Sequence, residues 1–155
     1  MIHYFVIETL ENIALPPIPK GEGKAVILTP QITHFNEVDY DARNQIVSER
    51  FKRLLEMFVP KYIFIPIVYL TEDRDRQSVY WRFNPPTFEA YKGKYRNDGI
   101  ISHIAFNTRP LPILFTTKSP KGIRSIVVRK TIAESTLRRG IHGLKFTHIQ
   151  NLIEE

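Results

Sequence analysis

The chain contains no cysteine. Disulfide staples and thiolate metal ligands are therefore excluded, and the composition suits a reducing compartment. No apolar run approaches the roughly 20 residues that a membrane-spanning helix needs. The opening stretch MIHYFVIETLE lacks the basic start and long apolar centre of a secretory signal. Glycine is scarce, and Gly21-Glu22-Gly23 is too short to act as a phosphate-cradling loop. There is no G-x-S-x-G nucleophile elbow, and the five histidines show no paired metal-binding spacing. These absences lead to the expectation of a cytoplasmic protein without membrane association, cofactor or metal site, and not an enzyme.

What is present is core-building material. The 155 residues fit one domain, and a chain of this size buries roughly 70% of its unfolded surface. Ser48 is placed to cap a helix with Glu49 in its first turn, where negative charge suits the helix dipole. Phe51, Leu54, Leu55 and Phe58 then fall at i, i+3, i+4 and i+7, so one face is apolar. Pro60 ends that helix, because a proline drives the preceding residue out of the α region. Tyr62–Leu70 follows as an apolar, β-branched and aromatic strand. A charged turn leads to Ser78–Asn84, with which Tyr62–Leu70 forms the clearest hairpin. Pro66 withdraws one ladder donor, which places it at a bulge or on a non-bonded edge.

The rest of the chain reads as short strands. His3–Leu10 alternates, with His3, Phe5, Ile7 and Thr9 on one side and Tyr4, Val6, Glu8 and Leu10 on the other. Leu15–Gly23 is a proline-rich loop, and Lys24–Thr29 a second strand. Phe88–Asp98 reads as a short helix or an ordered loop. Ile100–Phe106 alternates, with Ile100, Ser102, Ile104 and Phe106 on one side. Ile113–Thr117 and Ser125–Val128 flank a turn at Lys118–Gly122. Thr131 and Glu134 have capping-box spacing for a helix over Ile132–Arg139; Gly140 and Ile141 fit its left-handed stop. Leu144–Ile149 is a last strand. The pattern predicts one α+β domain over 1–155, with a mostly antiparallel sheet and two short helices, about Ser48–Phe58 and Ile132–Arg139.

Two features stand out. The closing unit echoes the central one: an Ile-Val lead, a short helix, then a strand with a central aromatic, over Val47–Leu70 and again over Ile126–Ile149. Charge is also uneven. Residues 1–75 carry eight Lys/Arg against eleven Asp/Glu, whereas residues 76–155 carry fourteen against five. A basic half faces nucleic acid, an acidic surface or an acidic protein, or simply water. Tyr91, Tyr95 and Phe106 interleave with its cations, a mixture that stacks bases and neutralises phosphates, but no nucleic-acid-reading signature accompanies it. Asp39-Tyr40-Asp41 opens like a calcium loop yet lacks the glycine and closing glutamate. Glu37, Asp39, Asp41, Glu49 and Glu56 form the pool from which a carboxylate site would be drawn.

The segment Ile46-Val47-Ser48-Glu49-Arg50-Phe51-Lys52, with Leu54-Leu55-Glu56, runs into Phe64-Ile65-Pro66-Ile67-Val68 and then Tyr80-Trp81, Phe83-Asn84-Pro85. Together with Ile126-Val127-Val128 and Gly143-Leu144-Lys145-Phe146, it resembles immunity proteins of bacterial polymorphic toxin systems, the α+β families numbered eleven and forty-three. The resemblance spans about residues 46–86 and 113–148. It implies a small protein of the cytoplasm that binds and neutralises one cognate toxin domain without catalysis. No catalytic residue carries over. On this reading the expected contact residues are Lys118, Lys121, Arg124, Arg129, Lys130, Arg138 and Arg139, which would face an acidic toxin surface. The acidic stretch Glu37–Asp41 is the alternative face, and a nucleic-acid-binding module using the basic half is the alternative function.

Overall fold

Helix starts and stops account for much of the architecture. A computed structural model of the chain describes residues 2–9, 18, 25–29, 39–88, 93–105 and 111–151. In chain order the elements are β1 (Tyr4–Thr9), β2 (Ala25–Thr29), β3 (Tyr40–Asp41), β4 (Ile46–Val47), α1 (Glu49–Phe58), β5 (Phe64–Thr71), β6 (Gln77–Phe83), β7 (Gly93–Tyr95), β8 (Ile101–Ile104), β9 (Leu114–Lys118), β10 (Arg124–Arg129), α2 (Lys130–Arg138), β11 (Leu144–His148) and β12 (Gln150–Asn151). The class is α+β, with two helices and mostly antiparallel strand pairs. No helix among the described residues is long and apolar enough to cross a membrane. The proline-rich loop at Leu15–Gly23 lies outside the described residues, apart from Ile18.

The chain divides into two compact units. Unit one comprises Met1–Glu8, Pro85–Ser135 and Lys145–Glu155; unit two comprises Thr9–Asn84 and Thr136–Leu144.

Unit two is built on the helix–strand segment. Ser48 is extended, and its hydroxyl accepts from Phe51 N–H, so it caps α1 as its residue type predicts. Phe51, Leu54 and Leu55 are buried. Trp81 donates its indole N–H to Glu49 Oε2 at 2.5 Å, and the Lys52 ammonium lies 4.1 Å from the Trp81 ring centroid, which ties α1 to β6. The β5–β6 hairpin pairs Phe64 with Phe83 through Leu70 with Gln77. Pro66 sits opposite Trp81 without a bulge, in a strand that is internal rather than an edge. The described pairing of β5 with β2 runs from Ile67 opposite Ala25 to Thr71 opposite Thr29. The sheet order is β2-β5-β6-β4-β3, and Ile46, Ile67, Tyr69 and Tyr80 form its core.

Unit one contains a four-stranded sheet, β11-β1-β10-β9, and a three-stranded one, β12-β8-β7. Tyr4, Val6, Ile101, Ile104, Phe115, Val127 and Ile149 form its core. The strict alternation expected in β8 fails for a local reason. Lys94 pairs with His103 and Tyr95 with Ile101, so Ser102 is an extra residue. Such a bulge shifts the parity of the strand, and Ile101 and Ile104 both turn inward. Gly93–Tyr95, expected as helix or loop, is extended because β8 offers it a partner.

The second helix begins at Lys130, not Ile132, so Thr131 lies inside the first turn rather than capping it. Its first N–H, that of Lys130, donates to the His3 carbonyl at 3.2 Å. The C-terminal stop forms as expected. Gly140 has φ +66°, its N–H donates to Leu137, and Ile141 N–H donates to Thr136, the paired bonds of a Schellman turn.

The sequence echo has a structural counterpart. In unit two, β3 and β4 form a hairpin, α1 follows, and β5 returns two places away, with β6 between β5 and β4. In unit one, β9 and β10 form a hairpin, α2 follows, and β11 returns two places away, with β1 between β11 and β10. The strand order is the same, but in unit one the inserted strand comes from the other end of the chain.

Candidate functional site

The β9–β10 hairpin gathers three of the expected contact residues. Lys118 and Arg124 are the last cross-strand pair, directly opposite one another, and Lys121 lies in the turn between them. All three are exposed. The turn is held by its own bonds: Ser119 N–H to Ile123 O at 2.8 Å, Gly122 N–H to Ser119 O at 2.9 Å, and Ile123 N–H to Ser119 Oγ at 3.1 Å. Gly122 takes φ +85°, a conformation that favours glycine. Tyr95 braces the base by donating its hydroxyl to the Lys118 carbonyl, and Lys121 reaches the Asn97 carbonyl.

The nearby carboxylate is already engaged. Arg96 binds Asp98 through Nε at 3.1 Å and Nη2 at 2.6 Å. Those bonds, with the Ile100 N–H, hold the Asp98 carboxyl down to about 2. The tip is therefore a preorganised cationic surface.

The other four residues go elsewhere. Arg129 turns inward, donating from Nη2 to the Leu111 carbonyl at 2.7 Å with its guanidinium over Tyr4; it is packed into unit one rather than presented. Lys130 is exposed and pairs with Glu134 one turn on, at 3.6 Å. Arg138 and Arg139 are exposed at the end of α2, in unit two.

In the acidic stretch expected as an alternative face, the two described carboxylates are buried. Asp39 is only 2% exposed and Asp41 3%; Glu37 lies outside the described residues. Asp39 accepts from Ser48 Oγ at 2.6 Å, from Arg50 through Nε at 2.7 Å and also Nη2, and from His142 N–H at 2.9 Å. Burial alone would raise this carboxyl, but the donors Arg50, Ser48 and His142 outweigh it and hold it below its usual value. Asp41 folds back on Arg43 N–H and on the Asn44 backbone and side-chain amides. Ser48, Asp39 and His142 are the residue types of a nucleophilic triad, but the carboxylate sits between serine and histidine. The Ser48 hydroxyl donates to Asp39 and accepts from Phe51 N–H, so the imidazole is not its base.

A second buried carboxylate, Glu8, was not singled out by its sequence context. It accepts from Arg96 Nη2 at 2.6 Å and from Thr147 Oγ1. Burial pushes it up, but these bonds and the charges of Arg96 and Lys145 win, so it lies below its usual value. The available signal was its strand position: Glu8 shares a face with Tyr4 and Val6, and a charge on an inward face needs a partner.

Among the described residues no group of three or more His, Asp or Glu is arranged to hold a metal ion. Of the three aromatics interleaved with the basic half, Tyr95 packs against the unit-one core; Tyr91 and Phe106 lie outside the described residues. No protein-family model matches the chain, and no curated protein matches it.

Proposed function

We propose that the protein is an immunity protein that binds one cognate bacterial toxin domain and neutralises it by direct contact, without catalysis, in the cytoplasm. The structural observation behind this reading is the exposed cationic tip at Lys118, Lys121 and Arg124, gathered on one hairpin. Such a patch is favourable once an acidic surface covers it, and it speeds encounter and fixes register. The sequence resemblance over residues 46–86 and 113–148 supplies the class of partner. The engagement of Tyr95 in packing and in a bond to Lys118 favours a protein partner over stacked bases.

The test is co-expression with the toxin domain encoded beside it. The expected outcome is restored growth and a one-to-one heterodimer whose association rate falls as salt rises. Lack of both rescue and complex, with salt-sensitive binding to random oligonucleotides, would overturn this reading in favour of a nucleic-acid-binding module.

A further inference from the structure

His3 and His148 are 145 positions apart in sequence, yet His3 Nδ1 lies 3.1 Å from His148 Nε2. Their strands are neighbours: His3 leads into β1 and His148 ends β11. The backbone is anchored at both, by Lys130 N–H on the His3 carbonyl and by Ile149 N–H on the Tyr4 carbonyl. The Phe5 ring packs 5.2 Å from the His148 ring, centroid to centroid. His148 is exposed and His3 half-buried, so the pair is positioned by the sheet and open to solvent.

Two metal–imidazole bonds of about 2.0–2.1 Å, meeting at an angle between square and tetrahedral, put the ligand nitrogens about 2.9–3.4 Å apart. The observed separation falls inside that range. The Gln150 side-chain amide lies 3.5 Å from His148 Nδ1. With its oxygen turned to that nitrogen, it would hold the ring proton there and leave the Nε2 lone pair for a metal. The proton shared between the two rings moves to the outer nitrogen of its own ring when a metal replaces it, so neutral imidazoles bind without other chemistry.

We propose that His3 and His148 form a two-imidazole site for a divalent first-row transition metal, tightest for copper(II), with water completing the coordination. The site has a structural consequence. In unit two the strands β5 and β6 are joined by a tight turn, whereas their counterparts β11 and β1 are joined by none. A metal bridging His3 and His148 supplies that junction and restrains a long loop of the unfolded chain.

The experiment is calorimetric titration of copper(II) into the full chain with its amino terminus acetylated, paired with electron paramagnetic resonance and thermal unfolding. One ion per chain, two coordinating imidazole nitrogens and a raised unfolding midpoint are expected. His148→Gln should weaken binding by at least about 10-fold, since losing a ligand costs no less than losing a ligand's own hydrogen-bond partner, and should abolish the rise in midpoint. His103→Gln should change neither. A single coordinating imidazole, or affinity unchanged in His148→Gln, overturns the proposal. The nitrogen count on the unmutated protein decides the matter even if a variant folds poorly.

Discussion

Replacing Asp39 removes the acceptor that joins the start of α1 to the turn after α2. Its carboxylate takes bonds from Ser48, Arg50 and the His142 backbone while being 2% exposed. In Asp39→Ala, His142 N–H and the Ser48 hydroxyl lose a charged acceptor, and each such bond contributes about 1.5–3 kcal/mol. The freed Arg50 side chain is half exposed and rehydrates. Ser48 is half-buried and His142 exposed, so water replaces part of both bonds. The loss should therefore fall below the sum of the two, at about 2–4 kcal/mol against roughly 3–5 kcal/mol for a fully buried broken pair.

Urea unfolding followed by Trp81 fluorescence reads this directly, because the chain's one tryptophan contacts α1 in the same unit. The midpoint should fall by about 1–2 M at unchanged slope. Asp39→Asn adds a pH test. The folded carboxyl lies below its usual value, whereas the unfolded one titrates near about 3.9. Its contribution is thus fully present above about pH 5 and is lost as pH falls through the folded value. The gap between native protein and Asp39→Asn should close on acidification. A change under about 0.5 kcal/mol in Asp39→Ala, which is the scale of an ordinary surface substitution, would refute the argument.

Other outcomes follow from particular contacts. Gly99 and Gly122 both have positive φ, but an added Cβ would lie 2.6 Å from Ile123 Cγ1 at Gly99 and would meet only the end of Lys118, at 3.9 Å, at Gly122. Gly122→Ala should cost about 1–2 kcal/mol and Gly99→Ala about 1–3 kcal/mol more through overpacking; equal midpoints in chemical denaturation would contradict the clash. Lys118→Glu places opposite charges across the hairpin, so it should stabilise the free protein by about 0.2–1 kcal/mol while slowing association with the toxin domain about 10-fold or more at low salt. Stopped-flow mixing and thermal melts on the same samples separate the two effects, and faster association would count against the cationic tip. Deleting Ser102 removes the bulge and leaves Ile101 and Ile104 two positions apart on one face of a regular strand. Ile101 should then stay inward, and the loss should stay below the roughly 1.5–3 kcal/mol of an exposed isoleucine. Amide exchange in β8 much faster than in the native protein would show that Ile101 had turned outward and would contradict the parity argument.

What sequence pattern conveyed well was local. The α1 cap, the β5–β6 hairpin, the β9–β10 hairpin and the Gly140 stop each depend on residues within a few positions of one another, where side-chain chemistry and backbone preference coincide. Sequence pattern also misled in local ways. Capping-box spacing at Thr131 and Glu134 was present, but the helix starts earlier, at Lys130, directly from the end of β10. Alternation in β8 was correct residue by residue and lost its meaning at one inserted serine.

The candidate contact residues show the same division. Composition located a basic half, but it treated Lys118, Lys121, Arg124 and Arg129 alike. Pairing register separates an exposed tip from a guanidinium turned onto Tyr4. Asp39 and Asp41 read as an exposed acidic stretch because carboxylates are seldom buried unless paired, and the partners of Asp39, Arg50 and His142, are 11 and 103 positions away.

By itself the sequence determined the fold class, the two helices and the repeated helix–strand unit, because periodicity and turn chemistry act within a dozen residues. Only the tertiary structure decided that β1 completes the second copy, that Glu8 and Asp39 are buried anchors, and that His3 meets His148. Each of these depends on a pairing between distant segments, whose free energy appears only after the intervening chain has folded.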